Sequence, residues 1–367
     1  MDEQPSPQYL CVFRTKEGER RALLNLESST DSGLVPLFDV QSNDSGKPLG
    51  QHLREAVEMI KEVWPSSAEF LLDISQIGTD ARCDEGRHPI TELLRACAER
   101  TLRPTLCYAF DRDDAAYDDA IVAGLETLQK PRRVAFRLQQ HDLLFWTETL
   151  ARLESLIDRM SVDRRAVTVI ADLQAIGPAS MPDEDRLRAQ LFQLRTAGIG
   201  RLVLLASSMP ESQALKADTE VVLRRHEIAL WESLLRDLPW LVFGDYGIVH
   251  PNFAHLRGSG APIPAPKARY ATPNSWIVIK GHRPKKGEAS QYRKIARRIV
   301  AADWFRPNDF GWGAERIRLA ATTQKREFGS HACWVGFCTQ IHLAITMRQV
   351  RVAVGAAARQ TTPDESL

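Results

Sequence analysis

Val167-Thr-Val-Ile-Ala-Asp172 is a short run of β-branched and small apolar residues that closes on a carboxylate. An apolar run of this length fits a strand buried on both faces, as in a parallel sheet covered by helices. Its polar last residue then falls at the carboxyl end of the strand. The same event recurs at Val35-Pro-Leu-Phe-Asp39, Phe70-Leu-Leu-Asp73, Leu106-Cys-Tyr-Ala-Phe-Asp111, Val134-Ala-Phe-Arg137, Leu202-Val-Leu-Leu-Ala-Ser207 and Leu241-Val-Phe-Gly-Asp245. Tyr9 to Arg14 supplies an eighth run at the start of the chain, followed by the helix-compatible Lys16 to Leu26. Helical connectors are readable at Leu53 to Val63, Ile90 to Thr101, Ala115 to Leu128, Leu143 to Met160, Asp183 to Thr196 and Glu227 to Leu238. Gly198 and Gly200 flank the exit of one connector, where a left-handed helix stop is expected.

Eight β-α units within about 245 residues match the size of a (β/α)8 TIM-barrel-like fold. An open, doubly wound α/β sheet is the alternative, since strand order is not written in a sequence. No Gly-x-Gly-x-x-Gly follows any strand, which weakens the dinucleotide-binding form of that alternative. Residues 1–250 are therefore read as the barrel, and 251–355 as a C-terminal α+β elaboration packed on it. Within the elaboration, Gly258 to Pro266 reads as a loop, Ala268 to Ala271 and Trp276 to Lys280 as two strands, and Glu288 to Ala301 as a basic amphipathic helix. Alternation around Val335 to Thr339 precedes a further helix ending near Val354. Residues 356–367 are expected to be a disordered tail.

Of the 367 residues, 44% are hydrophobic, enough for a sizeable core. Lys and Arg number 48 against 47 Asp and Glu, a formal net charge of +1. No global field therefore recruits nucleic acid or a membrane surface. The six cysteines show no Cys-x-x-Cys spacing and are read as reduced thiols of a cytoplasmic protein. No basic-then-apolar leader opens the chain, and no apolar run reaches about 18 residues, so neither a signal peptide nor a membrane span is expected.

Function is sought at the strand ends, where loops of neighbouring strands converge. Asp39, Asp73, Asp111, Asp172 and Asp245 all fall there. Carboxylates from separate strands can hold a divalent ion such as Mg or Mn, or divide into acid and base. Each can equally cap the loop that follows it. Asp73, Asp172 and Asp245 are the candidate metal ligands. Asp172 and Asp245 are also candidate bases, and His250, before Pro251, is a candidate general acid. Arg137, Arg269 and Lys280 are candidate anion contacts, and Asp39 and Tyr246 complete the ligand-binding set. An arginine near the end of an apolar strand needs an anionic group, either a neighbouring carboxylate or a ligand phosphate. Ser207-Ser208 lacks the Gly-x-Ser-x-Gly elbow of a nucleophilic serine. The basic residues from Lys280 to Arg298 can follow a phosphate backbone or form a solvated helix face. His331, Cys333, Cys338 and His342 can be drawn as a zinc set, but their spacing is irregular and core packing is the simpler reading.

Leu34-Val-Pro-Leu-Phe-Asp39, Phe70-Leu-Leu-Asp73, Phe243-Gly-Asp-Tyr-Gly-Ile-Val-His-Pro251, Ala268-Arg-Tyr-Ala-Thr272 with Trp276, Gln291-Tyr292 and Asp309-Phe-Gly-Trp-Gly313 together resemble the beta protein family of phage and bacterial genomes. Gly244-Asp-Tyr-Gly247 is the most specific of these motifs. Where the family tends to show Thr-Asn-His-His, this chain has Thr339-Gln-Ile-His342. The resemblance implies a place in a mobile-element or phage-conflict gene set, often beside a predicted nuclease, and implies no established reaction.

The expectation is thus a strand-end pocket for an anionic small molecule, a nucleotide or another phosphate, serving a phosphoester or nucleotide hydrolase. The competing expectation is a non-catalytic protein that docks a nuclease or other effector through the 258–266 loop and the 288–301 helix. Direct nucleic-acid binding is the third.

Overall fold

The computed structural model describes residues 8–26, 33–43, 46–112, 115–127, 132–252, 264–285, 291–306, 311–323 and 328–361. Eight strands close a parallel barrel: β1 (Tyr9–Arg14), β2 (Leu34–Asp39), β3 (Leu71–Asp73), β4 (Thr105–Ala109), β5 (Val134–Gln139), β6 (Val167–Ala175), β7 (Arg201–Ser207) and β9 (Val242–Asp245). They follow one another in chain order around the ring, and β9 closes it by pairing with both β7 and β1. Closure excludes the open doubly wound sheet.

The helices between the strands form where apolar residues recur at helical spacing. In Leu49–Val63, the buried Leu53, Ala56, Val57 and Ile60 make one stripe against the strands. Helix Pro89–Glu99 begins on a proline, where the missing N–H removes no intrahelical bond. Gly198 takes φ +90° after helix Glu184–Thr196, the left-handed stop expected from the sequence.

Strand alternation sorts the barrel residues into two shells. Leu10, Val12, Val35, Leu37, Leu71, Cys107, Ala135, Ile170, Val203 and Leu205 pack together inside the barrel with Tyr246. Tyr9, Phe13, Phe38, Phe70, Tyr108, Phe136 and Phe243 lie in the separate shell between strands and helices.

A second sheet has the order β10 (Lys267–Ala271), β11 (Ser275–Lys280), β8 (Thr219–Arg224). The hairpin was legible in the sequence. Strand β8 was not, because its Thr-Glu-Val-Val-Leu-Arg alternates half-buried and exposed positions and its apolar run, Val221 to Leu223, is only three residues long. The sheet packs with helices Tyr292–Val300 and Gly311–Thr322 in a second core. Most of the loop at 258–266, residues 288–290 of the expected basic helix and 307–310 lie outside the described residues.

The chain then differs from expectation: His331–Thr361 is one helix of 31 residues, about 46 Å long at 1.5 Å per residue. The alternation read around Val335 to Thr339 is two faces of that helix, and residues 356–361, expected as tail, continue it. Trp334, Phe337, Cys338, Ile341 and Ile345 pack in the second core, whereas Leu343, Met347 and Val350 pack on the barrel's outer shell. This helix therefore joins the elaboration to the barrel.

Where it passes helix Glu17–Leu23, side chains give way to backbone. A Cβ on Gly18 would stand 2.5 Å from Val335 Cγ1, and one on Gly336 would stand 3.2 Å from the Gly18 carbonyl. Gly18→Ala is expected to lower stability by about 1–3 kcal/mol through overpacking. Urea unfolding checks this, and an unchanged midpoint would mean that the two helices are not in contact.

Candidate functional site

The inner face of the barrel is apolar in its middle layers and becomes charged in the layer at the carboxyl ends of the strands. Counting inward positions along each strand places Arg14 above Val12, Asp39 above Leu37, Asp73 above Leu71, Arg137 above Ala135, Asp172 above Ile170 and Ser207 above Leu205. Tyr246 joins them from just beyond β9. Register sets the order: Arg14 pairs with Asp39 across β1 and β2, and Asp39 with Asp73 across β2 and β3.

Arg137 is the hub of this layer. Its Nε donates to Asp172 Oδ2 at 2.8 Å, its Nη1 to Asp73 Oδ2 at 2.7 Å and its Nη2 to the Tyr246 hydroxyl at 2.8 Å. The Tyr246 hydroxyl in turn donates to Asp172 at 2.6 Å. The remaining carboxylate oxygens accept backbone N–H groups, Ser75 on Asp73 and Gln174 on Asp172, each at 2.9 Å. Gln174 adopts φ +55° beside a register shift in β6, a bulge that turns the chain back onto Asp172. Burial pushes the Tyr246 phenol well above its ordinary pKa, and the Asp172 charge adds to this. Arg137 stays firmly charged, because Tyr246, Asp172 and Asp73 together outweigh its burial.

Asp39 stands apart from the hub. Its only side-chain hydrogen bond among the described residues comes from Ser75 Oγ at 3.2 Å. Burial, then the Asp73 charge, raises its pKa to about 7, against the opposing pull of Arg137 and Arg14. Asp39 is thereby placed to exchange a proton near neutrality.

Asp245 follows a different course. One position out of phase with Tyr246, it points outward from the barrel, away from Asp73 and Asp172. Its Oδ1 accepts from the Tyr9 hydroxyl at 2.6 Å and the Gly247 N–H at 2.8 Å, and its Oδ2 lies 2.8 Å from His342 Nε2. Burial alone would raise its pKa, but His342, Arg225 and Tyr9 outweigh burial and hold it below the ordinary value. Arg225, fully buried, lies over the Trp276 ring and donates to Glu227 at 3.1 Å and Thr346 Oγ1 at 3.0 Å. Trp276 stacks on His342.

The expected metal set is therefore divided. Asp73 and Asp172 grip Arg137, Asp245 belongs to the His342 network, and no group of three or more His, Cys, Asp or Glu side chains is placed to hold a cation among the described residues. Asp245, expected as a base at the mouth, lies outside the mouth layer, bound to Tyr9, Gly247 and His342. Burial lowers the pKa of His250, which works against the general-acid role expected of it. Its Nδ1 accepts the Asn252 N–H at 3.0 Å, and its carbonyl accepts from Arg14 at 2.9 Å. Lys280 caps the carbonyls of Ser212 and Leu215 and so is spent within the fold. Asp111 lies beyond the end of β4 and is exposed.

On the helix read as basic, Arg298 pairs with Glu220, while Arg293 and Arg297 donate to the carbonyls of Thr322 and Ala321. Sequence reasoning passed over Arg14, Tyr9, Arg225, Glu227 and Lys267. Phase along β1 is the signal that would have found the first two, since Leu10, Val12 and Arg14 share one face and Tyr9 the other.

A closed parallel barrel with a charged layer at the carboxyl ends of its strands defines the class as a (β/α)8 protein with a polar mouth. The chain belongs to the Beta protein family, whose model matches residues 9–348, spanning the barrel, the second sheet and much of the last helix. No curated protein matches it. Among the described residues no helix is long and apolar enough to cross a membrane.

Two outcomes are expected of this geometry. Arg137→Met strands two buried carboxylates and should cost about 3–5 kcal/mol in urea unfolding, whereas a loss below about 1 kcal/mol would show that the hub is dispensable. Asp39 has a folded pKa of about 7, well above an unfolded value of about 3.9. The folded state therefore holds the extra proton, and this contribution is complete below about pH 4 and lost as the pH rises towards 7. The loss should be on the order of 4 kcal/mol. Stability measured across that range should fall more steeply for the wild type than for Asp39→Asn, and parallel curves would contradict the assignment.

Proposed function

We propose that the barrel mouth binds an anionic small molecule, a nucleotide or another phosphate ester, and hydrolyses it with Asp39 as the proton-transfer group. The observation that carries this reading is the charged layer at the carboxyl ends of the strands, above apolar middle layers, with one carboxyl, Asp39, left outside the Arg137 hub. Active sites of this fold lie at that end of the barrel. The hub supports the reading as scaffold: Arg137, Asp73, Asp172 and Tyr246 hold one another in place, so the groups beside them need no reorganisation when a ligand arrives.

In the proposed step, water forms a new bond to phosphorus as the ester P–O bond breaks. The Asp39 carboxyl gives its proton to the leaving oxygen, and the proton released by the attacking water returns to Asp39. A place in a phage-conflict or mobile-element system is carried over from the family resemblance.

Phosphate release from a panel of nucleotides and sugar phosphates tests the reading. The expected result is turnover of at least one member with a pH dependence that breaks near 7. Asp39→Asn should reduce the rate by about 10²–10⁴-fold, the usual worth of a positioned acid or base. Turnover unchanged in Asp39→Asn would remove Asp39 from the chemistry, and no turnover of any ester would leave the mouth a binding site only.

A further inference from the structure

Arg269 is only 7% exposed, yet among the described residues its Nε has no hydrogen-bond acceptor and its guanidinium forms no ion pair. A buried guanidinium is ordinarily matched by a carboxylate. Of the groups whose charge bears on it, Cys338, Tyr292 and Glu19 favour the guanidinium and Arg14 opposes it, and burial outweighs them all. Arg14, 6% exposed at the barrel mouth, opposes the Arg269 charge; burial lowers the pKa of both, and Glu19, Asp39 and Tyr246 favour the charge of Arg14. Lys267 lies two residues away on the same strand face, directly across from Lys280. It is 8% exposed, and its ammonium donates to Ser212. Burial, then Arg269 and Lys280, lowers its pKa to about 7. Glu19 favours the charge of both arginines, and burial raises its own carboxyl towards the neutral form.

We infer that Arg14 and Arg269, with Lys267 behind them, form the phosphate subsite of the barrel mouth and take the terminal phosphate of a monoester. This rests on the reading of the mouth as an anion site and adds where the anion sits and what it is. The elaboration would then supply half of the site, since Arg269 and Lys267 come from its hairpin and Arg14 from the first barrel strand. Two planar forks match a phosphate dianion in charge and in number of acceptor oxygens better than a single carboxylate, and the Lys267 ammonium adds a further donor. A dianion beside Lys267 would also restore its proton, so binding at pH 7.5 should take up protons, visible as a buffer-dependent heat in titration calorimetry.

Thermal unfolding of the full chain with inorganic phosphate, adenosine monophosphate, adenosine or succinate provides the test, on the wild type, Arg269→Met and Arg269→Lys. Phosphate and adenosine monophosphate should raise the wild-type midpoint by several degrees, and adenosine and succinate should not. Arg269→Met should unfold at a higher temperature than the wild type without ligand, because an uncompensated charge is gone, and should lose the response. Arg269→Lys, with the charge kept and the fork removed, should bind adenosine monophosphate at least tenfold more weakly. A lower ligand-free midpoint in Arg269→Met, or failure of that variant to fold, would show that the guanidinium is already compensated and overturn the proposal. Full retention of the phosphate response in both variants would place the phosphate elsewhere and leave the wider reading of the mouth intact. A response to succinate instead of phosphate would overturn the ligand class, and no response to any anion would remove both readings.

Discussion

The mouth of this barrel depends on one buried guanidinium. Arg137 on β5 reaches Asp73 on β3, Asp172 on β6 and Tyr246 after β9, so one side chain joins three sectors of the ring. Carboxylates at such depth are tolerable only when paired and hydrogen-bonded. Each receives Arg137 and a backbone N–H, and Asp172 also receives the Tyr246 hydroxyl. The bulge in β6 and the turn after β3 supply those N–H groups, so the local backbone answers to the same charges. Asp39 lies outside this network, and burial with the Asp73 charge raises its pKa to about 7.

A second network, built on Asp245, fixes how the C-terminal helix sits. Tyr9 from β1, Asp245 from β9 and His342 from the last helix meet within hydrogen-bonding distance, and Arg225, lying over Trp276, extends the contact to Thr346. Through Trp276 the network also touches the hairpin that carries Arg269. The hairpin that carries Arg269 is thereby tied to the barrel by buried, directional bonds as well as by apolar packing.

Much of the barrel was legible because parallel strands buried on both faces read as continuous apolar runs, and all eight runs are barrel strands. The closed order was not legible, since pairing between distant strands leaves no local mark. The site was legible in part. Asp39, Asp73, Asp172, Arg137 and Tyr246 do share one layer, whereas Asp245 falls outside it because one residue of phase moves a side chain to the other face of a strand. A run apolar on both faces hides its own phase, and that is why Asp245 and Tyr246 could not be separated by reading Phe243 to Gly247 alone. The long last helix was missed for a related reason. Packing against two cores makes it apolar on more than one side, which blurs the helical period.

The most direct test of the central claim is a crystal structure of the protein soaked in inorganic phosphate without sulfate. The account predicts an anion above Asp39, within hydrogen-bonding reach of Arg269 and Arg14, with Arg137 still bound to Asp73 and Asp172. An anion seated on Arg137 with those carboxylates displaced, or bound only outside the barrel mouth, would contradict it.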